Sequence, residues 1–230
     1  MKLQIPSKKI TTWLFGLTLG LNLFGFAARI IEKLLGYNNT DFVRLVDVGE
    51  EANITNWFSS LLLLLSALLL YLISRLRNLD KDQFVRHWTF LSYLFIYLSI
   101  DETATIHEML IKPLREIFHS SGIFYYAWMI IAIPLVLLLA ILYLRFVFSL
   151  PINIRNQFIL AVIIFLSGAL GFEMLGGLFI KTEISGIHVT SFLITAEELL
   201  ENLGVVVFIS ALLTYVKMQA NWRNFLVEVV

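Results

Sequence analysis

Six long apolar segments constrain this chain more than any other feature of its sequence. They cover residues 10–31, 54–73, 88–111, 123–148, 158–180 and 189–216. Each is long enough to cross about 30 Å of hydrocarbon at the 1.5 Å rise per residue of an α-helix. We therefore predict an all-α polytopic membrane protein, in which residues 1–230 form a single domain with six transmembrane helices.

The composition agrees with this interpretation and excludes several other classes of protein. Charged residues make up 15% of the chain, whereas an average soluble domain contains about 25%. The formal net charge is zero, which gives no sign of nucleic-acid binding. The chain has no cysteine, so disulfides, thiolate metal sites and cysteine nucleophiles are excluded.

The basic residues predict how the helices are oriented. Cytoplasmic loops of membrane proteins carry an excess of lysine and arginine. Eleven of the 17 basic residues fall on the side of both termini: Lys2, Lys8, Lys9, Arg75, Arg77, Lys81, Arg86, Arg145, Arg155, Lys217 and Arg223. The other side holds Arg29, Lys33, Arg44, Lys112, Arg115 and Lys181. We predict cytoplasmic termini in a bacterial inner (plasma) membrane.

The third segment carries ionisable side chains where hydrocarbon would otherwise surround the helix. Residues 99–108 read Ser-Ile-Asp-Glu-Thr-Ala-Thr-Ile-His-Glu and contain Asp101, Glu102, His107 and Glu108. A charged side chain near the bilayer centre costs at least ~2.5–3.5 kcal/mol. These four side chains therefore cannot face lipid, and they must face a partner, a cation or a water-filled cavity.

Acids occur at a similar depth in two further segments. Glu173 lies in the fifth segment, and Glu197, Glu198 and Glu201 lie in the sixth. Counting inward from the outer helix ends places the acids of all three segments roughly 5–18 Å inside the membrane. We predict that these acids meet in one shared pocket on the extracytoplasmic side.

The charges at this depth are unbalanced. Up to seven carboxylates fall near one level, whereas no lysine or arginine of these spans does, and Arg29 is the nearest cation by depth. Carboxylates a few ångströms apart cannot all be ionised, so protons or bound cations must neutralise some of them. The cluster is therefore expected either to handle protons or to coordinate a metal ion.

The residue types limit which metal ion such a pocket would take. An oxygen-rich cluster with one histidine suits a divalent ion, either Ca²⁺, Mn²⁺, iron or zinc. The candidate ligands are Asp101, Glu102, His107, Glu108, Glu173, Glu197, Glu198 and Glu201. The Glu-x-x-His pair of di-iron bundles is absent, because Ala104 stands three residues before His107. No His-x-x-x-His pair occurs, but a mixed set of His107, His188 and a carboxylate stays open.

Two further patterns predict local structure. Glu50, Glu51 and Asn53 stand at the start of the second segment, where acidic and Asn side chains complement the free N–H groups of a helix. Alternatively, Glu50 or Asn53 leans over the mouth of the pocket. In the fifth segment, small residues on both sides of Glu173 are expected to let a neighbouring helix approach closely.

Two short motifs carry resemblances to known families. The sequences Glu51-Ala52-Asn53…Trp57-Phe58-Ser59-Ser60 and Asp101-Glu102…His107-Glu108 resemble a pattern in bacterial six-span membrane proteins of unknown activity. The stretch from Asp47 to Asn53 resembles the calcium-binding segment of alkaline ceramidases, which belong to a group of seven-span metal-dependent hydrolases. This chain departs from that group in motif spacing, in its number of spans and in lacking the paired histidines.

Two functions fit these observations best, and a third, a structural or assembly factor whose acids pair with another subunit, stays open. The first is an ion-coupled carrier, transporter or sensor whose cluster binds a divalent cation or protons. The second is an intramembrane metal-dependent enzyme, a hydrolase or an oxidoreductase, that acts on a lipid or lipophilic substrate. The expected partners are membrane lipids and a small ion or lipophilic ligand; catalytic residues and oligomeric state are not assigned by the sequence.

Overall fold

The computed structural model describes residues 3–34, 41–49, 53–184, 187–223 and 227–229, and these residues are predominantly helical. The α-helices are α1 (Ser7–Leu34), α2 (Asp41–Val46), α3 (Ile54–Leu79), α4 (Val85–Ala104), α5 (Ile111–Phe118), α6 (Met129–Ser149), α7 (Ile152–Leu166), α8 (Glu173–Phe179) and α9 (Val189–Arg223). Short 3₁₀ helices occur at Glu108–Leu110 and Gly122–Phe124. A π-helical turn, Ser167–Phe172, joins α7 to α8. The predicted all-helical class is confirmed.

Four very short strands accompany the helices. β1 (Leu3–Ile5) pairs in parallel with β4 (Val227–Val229). β2 (Glu183–Ile184) and β3 (Ile187–His188) form an antiparallel hairpin before α9. Strands of two or three residues contribute little packing surface, so the helices determine the architecture.

Five helical segments in the described part of the chain are long and apolar enough to cross a membrane. They are Ser7–Glu32, Ile54–Leu79, Met129–Ser149, Ile152–Phe179 and Val189–Gln219. These correspond to the first, second, fourth, fifth and sixth segments expected from the sequence. The third segment, α4, is not among the five, because polar and charged residues at both of its ends dilute its apolar run.

The third segment is interrupted where the sequence predicts a continuous helix. Helix α4 ends at Ala104, and Thr105 adopts a left-handed conformation with φ of 47°. The Oδ1 atom of Asp101 accepts the backbone N–H of His107 at 2.9 Å, beyond the helix end. A side-chain acceptor of this kind competes with continuation of the backbone ladder. The predicted helix over residues 88–111 is therefore wrong after residue 104.

Helix α9 lies at the centre of the bundle and contacts α1, α3, α7 and α8. Residues 205–216 of α9 are mostly buried, and they pack against apolar residues of α3 and α7. Aromatic rings close this half of the bundle: Trp88 stacks on Tyr215 at 5.1 Å between ring centroids and meets Phe146 edge-on at 4.8 Å. In contrast, residues 193–201 of α9 are all half-buried. The apolar core and the acids thus occupy different halves of one helix.

Glycines allow the helices around α9 to approach closely. A Cβ atom on Gly168, in the π-helical turn, would lie 2.7 Å from the carbonyl oxygen of Glu197. A Cβ atom on Gly204 of α9 would lie 2.7 Å from the backbone nitrogen of Phe165. Neither distance accommodates a side chain, so both glycines are required for the observed separation of α7 and α9. This is the close approach that the small residues around Glu173 predict.

Substituting Gly168→Ala is therefore expected to lower the thermal stability of the protein. The added methyl group meets backbone atoms of α9, and overpacking of this type costs about 1–3 kcal/mol. The matched control is Gly171→Ala in the same turn, where an added Cβ meets nothing within 4 Å. Thermal unfolding of the detergent-solubilised protein measures the difference, and equal melting temperatures for both variants would contradict the prediction.

Candidate functional site

The eight ionisable residues predicted from the sequence lie on three segments of the chain. Asp101 and Glu102 lie in the last turn of α4, and His107 and Glu108 follow the helix break. Glu173 is the first residue of α8, and the remaining three acids lie on α9: Glu197, Glu198 and Glu201. We call these eight residues the acid cluster. The predicted convergence of three segments agrees with this arrangement.

Electrostatic interactions connect the members of the acid cluster across the segments. Glu102 interacts with Asp101, His107 and Glu108 on its own part of the chain. Glu197 interacts with Glu173 on α8 and with Glu102 on α4. Glu201 interacts with the same two acids and with its neighbours on α9. The eight groups therefore form one network rather than three separate sites.

Asp101 and His107 form the best-defined pair of the acid cluster. Oδ2 of Asp101 lies 2.7 Å from Nδ1 of His107, while Oδ1 accepts the backbone N–H of the same residue. The helix break at Thr105 brings His107 back over Asp101, which a continuous helix would not do. The Asp101 side chain is 12% exposed and the His107 side chain 30% exposed. This contact fixes the imidazole and leaves Nε2 as its second polar atom.

Trp128 links this pair to α8. Its indole Nε1 donates a hydrogen bond to Oε1 of Glu173 at 2.7 Å. Its ring also lies 4.8 Å from the His107 ring, measured between centroids. Glu173 itself is buried, with 8% of its surface exposed. The sequence gives no sign of this role for Trp128, because a Trp beside an apolar segment is typical of a membrane-interface belt.

Small polar side chains of α3 lie next to the acid cluster. Ser59 lies beside Glu102, and its hydroxyl donates to Oδ1 of Asn202 at 2.8 Å. Ser60 and Ser99 exchange hydrogen bonds between side chains and backbone carbonyls at 2.8 and 2.9 Å. Serines permit close packing of neighbouring helices in an apolar medium. They hold α4 against α3 at the level of the acids.

The three acids of α9 are the least satisfied members of the acid cluster. Protein atoms surround their carboxyl groups, and the three residues are half-buried. The Oε2 atom of Glu198 is buried and has no hydrogen-bond partner in the described part of the chain. A buried polar atom without a partner costs about 1–3 kcal/mol. Within the network, a proton or a ligand would therefore gain the most free energy by binding at Glu198.

Positive charge does not balance these acids within the described residues. No described lysine or arginine forms a salt bridge with Asp101, Glu102, Glu173 or the three acids of α9. Arg29, the nearest cation by depth in the sequence, instead pairs with Asp47 through Nε and Oδ2 at 3.3 Å. The imidazole of His107 is the ionisable base within the acid cluster.

A metal centre needs several ligand side chains close together. Among the described residues, no three or more His, Asp or Glu side chains are arranged to hold a metal ion. His188, an alternative ligand in the sequence analysis, lies in the β2–β3 hairpin and pairs with Glu183 at 3.1 Å, with both side chains half exposed.

The entry to α3 has the predicted capping role. Asn53 is the N-cap of α3, and its side chain accepts the backbone N–H of Asn56 at 2.8 Å. Its Nδ2 donates to the carbonyl of Asp47 at 2.8 Å. These bonds orient Asn53 toward the loop backbone. Glu50 and Glu51, which the sequence analysis grouped with it, lie outside the described residues.

Comparison with known families places the chain in one of them. A family model described as Domain of unknown function (DUF8692) matches residues 11–216. The match covers most of the chain, so this protein belongs to that family. Comparisons with curated proteins and with solved structures gave no match. All eight residues of the acid cluster and Trp128 lie within the matched range, and an activity has to be argued from their chemistry.

The Asp101–His107 contact predicts a local change in Asp101→Ala. Loss of both hydrogen bonds should free residues 105–110, since a side-chain cap is worth about 1 kcal/mol. Backbone hydrogen exchange of this segment should accelerate by about fivefold to tenfold. Asp101→Asn keeps an acceptor for the His107 N–H and should exchange more slowly than Asp101→Ala. Glu102→Ala is the neighbouring control, and equal acceleration in that control would contradict the assignment.

Proposed function

We propose that this chain is an integral membrane protein whose acid cluster binds protons or a divalent cation and couples their movement to transport or sensing. The observation that carries the proposal is the convergence of seven carboxylates and one histidine between apolar helices. Six of those carboxylates have no described lysine or arginine in a salt bridge. Protons or a divalent cation would therefore have to neutralise these carboxylates.

Protons are the neutralising species that the geometry favours. Like charges within one network cannot all be ionised in a medium of low dielectric. Protonation can be shared among the acids without a fixed coordination shell, whereas a tightly held metal ion needs several ligands at short distance. The contacts of the cluster are mainly electrostatic, and no described group of ligands has metal-binding geometry. We infer proton exchange as the primary event, with a divalent cation as its competitor.

The proposal includes α4 as a sixth membrane crossing. Serines and a threonine line its contact with α3, including the Ser92 hydroxyl that donates to the Ala67 carbonyl at 2.9 Å. Its ionisable residues lie at its ends or against the bundle, so its remaining surface is apolar. Six crossings with cytoplasmic termini agree with the excess of basic residues on one side. The acid cluster would then face the extracytoplasmic side.

A second candidate is supported by the Asp101–His107 pair. A carboxylate that holds one imidazole nitrogen leaves the other free as a general base or as a metal ligand. An intramembrane enzyme that acts on a lipid or a lipophilic molecule would use this arrangement, with Trp128 and Glu173 beside it. Such an enzyme would depend on a metal ion, whereas a proton carrier would not.

The carrier proposal predicts proton movement that depends on Glu198. In proteoliposomes containing a pH-sensitive dye, an imposed potential or divalent cation gradient should drive proton flux through the wild-type protein. Glu198→Gln should lower the rate by about tenfold or more, because it removes an ionisable group buried between helices. Glu116→Gln, on the exposed surface of α5, is the control and should leave the flux unchanged.

Two different results would contradict the carrier proposal. Absence of proton flux in the wild-type protein, under both driving forces, would remove the carrier interpretation. Equal flux in wild type and Glu198→Gln would show that the acid cluster is not the pathway.

Metal analysis of the purified protein separates the two candidates. The proton proposal predicts that no transition metal remains in stoichiometric amount after detergent purification without chelator. Stoichiometric metal that is lost in an Asp101→Ala/His107→Ala double variant would instead support the enzyme. The Glu183→Ala/His188→Ala double variant serves as the control, because that exposed pair lies outside the acid cluster.

A further inference from the structure

A groove between α4 and α6 lies at the end of the bundle opposite the acid cluster. It has a volume of about 280 Å³ and is lined by Arg86, His87, Phe90, Leu139, Leu142 and Tyr143. The groove begins where the chain enters α4 and runs along the second half of α6. Its position and its residues are independent of the acid cluster.

Aromatic contacts form the floor of the groove. The Tyr143 hydroxyl donates to the carbonyl of His87 at 3.0 Å. The His87 ring stacks on Phe146 with 5.5 Å between centroids and an interplanar angle of 13°. Phe146 is buried, with 1% of its surface exposed. These contacts fix the start of α4 against the end of α6 and keep the groove open between them.

The groove combines a cationic end with apolar walls. Arg86 is exposed, and no described carboxylate forms a salt bridge with it. Arg77, by comparison, is neutralised by Asp80 and Asp82. Phe90 and Leu142 are 51% and 60% exposed, so they offer apolar surface to whatever fills the groove. The Nδ1 atom of His87 is buried and has no partner in the described part of the chain.

An anionic phospholipid is the occupant that matches this combination of charges and surfaces. A guanidinium binds phosphate through two parallel hydrogen bonds. Basic pockets between membrane helices on the cytoplasmic side are sites for anionic headgroups. Other cations at the same end of the bundle strengthen the attraction: Arg75, Lys81, Arg145 and Arg155. An acyl chain supplies apolar surface that would cover the exposed side chains of Phe90 and Leu142.

We propose that this groove binds one anionic glycerophospholipid, with its phosphate on Arg86 and one acyl chain against Phe90, Leu139 and Leu142. The bound lipid would join α4 to α6, because its two ends contact residues from both helices. Helix α6 buries only Met129 and Phe146 of its own side chains. A lipid at this position would therefore cover a helix that the chain itself covers poorly.

Native mass spectrometry of the full-length protein in detergent tests this proposal, with phosphatidylglycerol and phosphatidylcholine as probes. Wild type should bind one phosphatidylglycerol in preference to phosphatidylcholine. Arg86→Gln should weaken phosphatidylglycerol binding by about tenfold, the effect expected from loss of a charge-assisted contact. Arg145 lies near the end of α6 close to the groove but does not line it. Arg145→Gln should therefore change the affinity for phosphatidylglycerol by less than about twofold.

A second pair of variants tests the position of the acyl chain. Leu139→Trp fills the groove and should lower binding of both lipids, whereas Ile141→Trp, on the exposed side of α6, should not. Equal wild-type affinity for the two lipids would overturn the proposal. Equal losses in Arg86→Gln and Arg145→Gln would also overturn it, since binding would then reflect overall charge. None of these variants touches the acid cluster, so the outcome is separate from that of the proton-flux experiment.

Discussion

A carboxylate that faces hydrocarbon costs several kcal/mol, and the seven carboxylates of the acid cluster lie within or next to the apolar segments of this chain. That cost explains why the acids of α4, α8 and α9 lie on facing surfaces. It also explains the division of α9, in which residues 205–216 are held by apolar packing and the acids occupy the preceding turns. Gly168 contributes to this division, because it lets the π-helical turn contact the backbone between Glu197 and Glu201.

The sequence predicted the helical class and the members of the acid cluster because both depend on one strong energetic term. Apolar length determines where a helix can cross a membrane, and unpaired charge determines which of its faces must point inward. The break at Thr105 was not predictable in the same way. It results from one carboxylate, Asp101, bonding to the backbone of His107, and the free energy of such a contact depends on packing that the sequence does not display. The role of Trp128 was not predictable either, because an uncharged Trp beside an apolar segment is typical of a membrane-interface belt.

Two departures from regular α-helix occur at the acid cluster. One is the left-handed residue Thr105 after α4, and the other is the π-helical turn before Glu173. Turns with π geometry are frequent at functional sites, and interrupted helices form the ion and substrate sites of many transporters. In this protein each departure positions a side chain: the first returns His107 to Asp101, and the second precedes Glu173, which accepts from Trp128. A regular helix would gain backbone hydrogen bonds but would orient these side chains differently.

A purely structural role for the acids would require a partner for each of them. Asp101 has His107, Glu173 has Trp128 and Glu102 has Ser59, so these three could in isolation serve to fix helix positions. Glu198 differs, because its Oε2 atom is buried and lacks a partner among the described residues. A fold that needed only stability would gain from Leu at this position, since a buried polar atom without a partner costs about 1–3 kcal/mol. Retaining Glu198 beside six further acids is explained if the position must gain and lose a proton. Under the proton proposal, His107, whose side chain is 30% exposed at the edge of the same network, would pass that proton on.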